Sequence, residues 1–139
     1  MKILVPVDGS AYCLKAVETA CELAKAQAPA SVVLISVAIE IPELGEGRYI
    51  HDKMKAQAEA ALAQGKEVAQ KCGTVSEVLL ATGPSPAEEI VQVAKDEKAD
   101  LIVIGSRGLA GKTKSFLGST ASKVVTYAPC SVLVVKTRD

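Results

Sequence analysis

Hydrophobic residues in this chain follow two rhythms. Short unbroken runs rich in Val, Ile and Leu occupy residues 2–7, 31–38, 74–82, 100–105 and 131–137, as expected of strands covered on both faces. Between the runs, apolar positions recur every three or four residues. Leu14, Val17, Cys21 and Ala24 share one helical face behind Ser10, a residue suited to cap the helix start. Ile50, Met54, Ala58, Ala61, Gly65, Val68 and Cys72 form a second stripe, rich in small residues and expected to pack loosely. Ser85-Pro86-Ala87-Glu88 opens a third helix with a capping serine, a proline at the first helical position and a capping-box glutamate. A fourth helix is predicted over residues 119–128.

This alternation of strand and helix predicts an α/β, doubly wound fold: a five-stranded parallel sheet with right-handed crossovers and helices on both faces. Ligands of such sheets bind beyond the carboxyl ends of the strands, where the winding reverses. With strand order 3-2-1-4-5, the reversal falls between the first and fourth strands. Asp8-Gly9-Ser10 and the segment after Gly105 then meet across one crevice.

That segment carries the chemistry. Gly105-Ser106-Arg107-Gly108 is followed, after an x9 gap, by Gly118-Ser119-Thr120. A strand, a glycine-rich loop and a helix in this order bring bare backbone N–H groups to an anion at a helix N-terminus. Gly105 and Gly108 are expected to leave the strand in unusual φ/ψ. Gly118, Ser119 and Thr120 are expected to supply N–H and hydroxyl donors, with Ser119 also able to cap the helix. Arg107, Lys112 and Lys114 lie between Gly105 and Gly118 with no acid among them, although the whole chain has a formal net charge of zero. So local an excess of positive charge suits a small anion.

Other phosphate motifs do not fit. A Walker A loop fails by one residue between Gly105 and Gly111-Lys112-Thr113, and the first strand ends in Pro6-Val7-Asp8-Gly9-Ser10 rather than in a dinucleotide fingerprint. The serine-glycine-glycine-x-aspartate-serine turn of pyrophosphatase-type adenylating enzymes is also absent.

Composition narrows the picture further. A chain of 139 residues forms one domain, 1–139, able to bury roughly two-thirds of its unfolded surface. No apolar run approaches the ~18 residues a membrane span needs, and no leader pattern is visible at the N-terminus; a soluble, cytoplasmic protein is expected, with no membrane partner. Cys13, Cys21, Cys72 and Cys130 form no C-x-x-C pair and no zinc spacing, so they read as reduced, buried thiols. A pI near 6.6 and aromatics limited to three Tyr and one Phe argue against nucleic acid as a partner.

Along nearly its whole length the chain resembles the universal stress protein (UspA-like) family. The likeness rests on Lys2 to Ser10, on Gly83-Pro84 leading into Glu88-Glu89-Ile90-Val91, on Ala99 through Gly108, and on Ala128-Pro129-Cys130 through Val135. In that family the spacing G-x2-G-x9-G-S/T marks the ATP-binding branch, and Gly105, Gly108, Gly118 and Ser119 complete it here. The resemblance implies a Rossmann-like, adenine nucleotide α-hydrolase-like domain that binds ATP, or AMP, ADP or a cyclic nucleotide, with Mg²⁺ as an accompanying metal. It implies that Pro6, Val7 and Asp8 line the adenine and ribose wall, that Val37 and Ile104 lie near the base, and that Gly105, Gly108, Gly118 and Ser119 face the phosphates; the loop's charge adds Arg107 to that end, and the helix start adds Thr120. Asp8 has two readings: a partner for a ribose hydroxyl or Mg²⁺, or ordinary Asx-turn chemistry. His51, the only histidine, is assigned no role.

No Asp, Glu, His or Gln lies between Gly105 and Gly118, so the loop lacks a base to drive fast phosphoryl transfer. The expected function is a nucleotide-binding stress-response sensor, with hydrolysis slow or absent. The rival is a homodimeric scaffold that binds no nucleotide. The final strand belongs at a sheet edge, an aggregation hazard unless covered, and the family implies that it pairs with a second copy through Val132 and Val134. Residues 40–48 read either as a lid or as a surface loop.

Overall fold

The computed structural model describes residues 1–40, 47–74, 76–108 and 117–137. In chain order the elements are β1 (Lys2–Pro6), α1 (Ala11–Ala26), β2 (Ser31–Ile39), α2 (Gly47–Lys71), β3 (Ser76–Gly83), α3 (Pro86–Asp96), β4 (Leu101–Gly105), α4 (Ser119–Tyr127) and β5 (Ser131–Val135). The strands form one sheet in the order β3-β2-β1-β4-β5, and every pairing is parallel. The doubly wound order expected from the sequence is the order found.

Side chains alternate across each strand, so each strand feeds two cores. Ile3, Val5, Val32, Leu34 and Val103 face α1 and α2, where they meet Val17, Cys21, Ala61, Leu62 and Ala69. Leu4, Val33, Ile35, Ile102 and Ile104 face α3 and α4, where they meet Ile90, Ala94, Ala121 and Val124. This double coverage is why β1, β2 and β4 lack polar alternation. At the sheet edges the covering thins: Val78 and Leu80 of β3 are 42% and 37% exposed, and Leu133 of β5 is 37% exposed.

Local chemistry sets the element boundaries. Ser10 Oγ accepts the N–H of Cys13 at 3.3 Å and Ser85 Oγ accepts that of Glu88 at 3.4 Å, so both predicted caps are formed. β3 starts later than expected, because Thr74 N–H donates to Ala69 O at 2.9 Å and belongs to the turn that closes α2. The expectation of loose packing along α2 is overturned at Gly65, where a Cβ would sit 3.2 Å from Leu34 Cδ1 and 3.3 Å from Val7 Cγ1. The small residues bring α2 close to the sheet.

The β1–β4 seam is short, with register pairs only at Ile3↔Leu101 and Leu4↔Ile102. Its lower end is stitched by Lys2 N–H on Asp100 Oδ2 (2.7 Å) and Asp100 N–H on Lys2 O (2.9 Å). At its upper end stands Pro6, which has no N–H to give. Val7 N–H donates to Ile35 O of β2 at 2.8 Å, so by strand alternation the missing Pro6 donor is the one that would face β4. The ladder stops there and the crevice opens.

Among the described residues no helix is long and apolar enough to cross a membrane. Replacing Gly65 by Val should overpack α2 against Leu34 and Val7 and lower stability by about 1–3 kcal/mol, read as a lower urea midpoint at unchanged m-value.

Candidate functional site

The crevice is a cavity of about 680 Å³ above the carboxyl ends of β1, β2 and β4. Pro6, Val7, Asp8, Val37, Ile104, Gly105, Arg107, Gly108, Gly118, Ser119 and Thr120 all line it, so the predicted site residues converge on one space. Lys112 and Lys114 lie outside the described residues, as do residues 41–46 of the segment read as a lid or loop. The sequence reading missed Ser36 of β2 and Met54, Gln57 and Ala58 of α2, which complete another wall. Met54 and Ala58 belong to the predicted apolar stripe of α2, but nothing in a helical stripe says that its first turns overhang a cavity instead of core.

The loop glycines act differently from expectation. Among the described residues positive φ occurs at Gly9 (+90°), Gly73 (+77°) and Lys98 (+53°), and at neither Gly105 nor Gly108. What those two provide is room. A Cβ on Gly105 would lie 2.9 Å from the backbone oxygen of Tyr12, in the first turn of α1, and one on Gly108 would lie 2.6 Å from Asp8 Oδ2. The unusual dihedral belongs instead to Gly9, in the β1–α1 turn.

Asp8 makes the turn contact: Ser10 N–H donates to its Oδ1 at 2.9 Å, an Asx turn. Its other oxygen stands against Gly108, so the β1–α1 turn and the glycine loop meet directly. The strand order predicts this juxtaposition, and the structure has it.

The start of α4 corrects another expectation. Gly118, not Ser119, is the N-cap, and no side chain caps it. Gly118 N–H is not offered to a ligand, since it donates to Ser106 O at 2.7 Å. The donors without an intrahelical acceptor are therefore the N–H groups of the first turn, Ser119, Thr120 and Ala121, at the positive end of the helix dipole. A Cβ on Gly118 would lie 3.3 Å from Ser106 O and 3.4 Å from Arg107 Cα, so the loop's two stems touch at this residue.

Cys13 also borders the cavity, its Sγ donating to Ser10 O at 3.0 Å. Burial pushes its thiol above the usual range, with the Asp8 charge adding to the effect against opposing hydrogen bonds from the turn. It contributes a neutral, apolar surface. The expectation of four buried thiols holds for Cys13 and Cys21, whereas Cys72 and Cys130 are half-buried; all four are free. Among the described residues no group of three or more His, Cys, Asp and Glu is placed to hold a metal.

A fold of this winding places its cavity at the switch point, where open α/β sheets bind their ligands. The family model described as "Universal stress protein family" matches residues 1–136, and the chain belongs to that family. It is 37% identical to the universal stress protein MJ0531 of Methanocaldococcus jannaschii, over 97% of this chain and 81% of that protein. It is 40% identical to a universal stress protein of Thermus aquaticus, over 96% and 97% of the two chains. Among solved structures, the hypothetical protein MJ0577 superposes with a TM-score of 0.85 at 28% identity, over 99% and 96% of the chains. A universal stress protein in complex with cAMP superposes at TM-score 0.77 and 26% identity, over 99% and 98%. One from Archaeoglobus fulgidus in complex with dAMP does so at 0.77 and 25%, over 98% of each chain.

Gly105→Ala should drive a methyl group into the Tyr12 carbonyl. Because backbone rather than a side-chain tip must move, a loss of about 1–3 kcal/mol is expected, measured by chemical denaturation of the nucleotide-free protein.

Proposed function

We propose that this protein is an adenine-nucleotide sensor that holds ATP by its phosphates at the start of α4 and by its base and ribose along the ends of β1, β2 and β4. One observation carries the reading: the first-turn residues of α4 and the tip of β1 line the same cavity, and each of three glycines sits where a Cβ would crowd the loop or its neighbours. The cavity volume lies within the roughly 300–1,000 Å³ usual for small-molecule sites. The cAMP and dAMP complexes of related proteins support adenine as the base.

Pro6, Val7, Val37 and Ile104 supply an apolar wall for the base, Asp8 lines the cavity where a ribose hydroxyl or Mg²⁺ would sit, and Arg107 offsets phosphate charge. Asp8 is the only carboxylate among the described lining residues. That suits Mg²⁺, which commonly takes one or two carboxylates and completes its shell with phosphate oxygens and water. Hydrolysis is slow. Among the described lining residues there is no Glu or His and no Asp besides Asp8 to serve as a base, and Gln57 of α2 carries the one side-chain amide. Turnover below about 1 s⁻¹ is expected, and a faster steady state for purified protein contradicts the sensor reading.

Acid-denatured protein should release a near-stoichiometric adenine nucleotide detectable by mass spectrometry. Protein that is empty and also silent in calorimetric titration with Mg-ATP refutes the proposal. Ser119→Pro gives a sharper test. Proline is favoured at the first helical position, and Gly118 at φ −64°, ψ 160° already has the conformation that precedes proline. The variant should fold normally while losing one amide and one hydroxyl donor, and ATP should bind about 10–100-fold more weakly.

The exposed flank of β5 supports a homodimer as the form in which the sensor works. Val132 and Val134 are half-buried against the second core cluster, while Leu133 points to the opposite face. Pairing of this edge with a second copy would extend the sheet and cover all three residues. Light scattering at micromolar concentration should give the dimer mass, and a monomer removes this part of the proposal.

A further inference from the structure

Two of the four cysteines lie where α1 meets the end of α2. Cys21 projects from α1 into the first core cluster and is fully buried, and Cys72, in the turn that closes α2, packs half-buried on the same cluster. The following residue defines the approach: a Cβ on Gly73 would sit 3.7 Å from Lys25 Nζ, and Lys25 stands one helical turn beyond Cys21 on the same side of α1. Cys72 therefore lies on the side of α1 that carries Cys21, and the Cys72 thiol and the Thr74 hydroxyl are among the groups that act on the Cys21 thiol. The remaining cysteines are elsewhere, Cys13 against Ser10 O at the cavity and Cys130 near Asp100 at the start of β5.

We propose that Cys21 and Cys72 form a reversible disulfide, made by a hydroperoxide and undone by a dithiol, that staples α1 to the end of α2. Cys72 is the less buried of the two residues, so oxidation begins there. Its thiolate attacks one peroxide oxygen, the O–O bond breaks, and Cys72 becomes a sulfenic acid as the other oxygen leaves as water or an alcohol. Cys21 then attacks the Cys72 sulfur: the S–S bond forms, the S–O bond breaks, and hydroxide leaves with the Cys21 proton as water. Two thiols lose two electrons and two protons, and the peroxide takes them up. Burial holds the Cys21 thiol up, against the lowering influence of Thr74 and Lys25. This makes Cys21 the resolving partner, activated by proximity and not by a free thiolate.

The test uses the full chain, reduced, freed of reductant and treated with a few equivalents of hydrogen peroxide. After alkylation and digestion without reductant, one cross-linked peptide joining Cys21 to Cys72 is expected, with an intact mass lower by two hydrogens. Dithiothreitol should restore the reduced mass. Oxidised protein should melt roughly 5–15 °C higher than reduced protein, because the cross-link restricts the unfolded chain. Cys72→Ser should abolish the cross-link and the shift, and Cys130→Ser should leave both intact. Cys21→Ala provides a second arm that does not rely on the first variant's folding: with no resolving sulfur, Cys72 should stop at a sulfenic acid that dimedone traps. Sulfinic acid at Cys72 with Cys21 still a thiol, or cross-links to Cys130 as frequent as those to Cys21, would overturn the proposal.

Discussion

The short ladder between β1 and β4 is the constraint on which the rest of this molecule depends. Sheet winding runs outward from β1 in both directions, so the connections on its two sides leave toward opposite layers, and no crossover fills the space above the seam. Pro6 withholds the donor that would continue the ladder toward β4. A cavity at this point therefore needs no specialised cap or insertion. It is what remains when a parallel sheet reverses its winding and its central strand carries proline near its end.

Small residues then determine how closely the surrounding parts approach that gap. Gly105 admits the first turn of α1, Gly108 admits the Asp8 carboxylate, Gly118 lets the two stems of the loop meet, and Gly65 brings α2 down on Val7. In each case the missing Cβ shortens a distance between elements remote in sequence. A glycine spacing usually read as a phosphate signature is here equally a set of clearances through which the β1–α1 turn, the loop and α4 share one volume.

Much of this was legible in the sequence because it rests on local rules. Unbroken Val/Ile/Leu runs signal strands buried on both faces, and Ser10 and Ser85 cap the helices they precede; with the order 3-2-1-4-5 supposed, the place of the crevice followed from the reversal of winding. The Asx turn at Asp8 was legible as one of two readings. What escaped depended on contacts between distant segments. The loop glycines were expected to serve dihedral freedom, yet the residue needing positive φ was Gly9. Gly118 was expected to donate to a ligand, but its N–H is taken by Ser106, a residue whose role no spacing betrays. Met54 and Gln57 reached the cavity unseen because α2 overhangs it. That Cys21 and Cys72 pack on one core cluster was invisible for a similar reason, since it arises where the end of one helix meets the middle of another.

Ser106 joins these themes. Its carbonyl accepts Gly118 N–H at 2.7 Å and its own N–H donates to Val135 O at 2.9 Å. One buried residue thus ties both stems of the glycine loop to the end of the outermost strand. Main-chain bonds, unlike side chains, have no rotamers in which to absorb a displacement. Two successive main-chain hydrogen bonds therefore join the start of α4 to the end of β5, and the mouth of the cavity and the free edge of the sheet share one stretch of backbone.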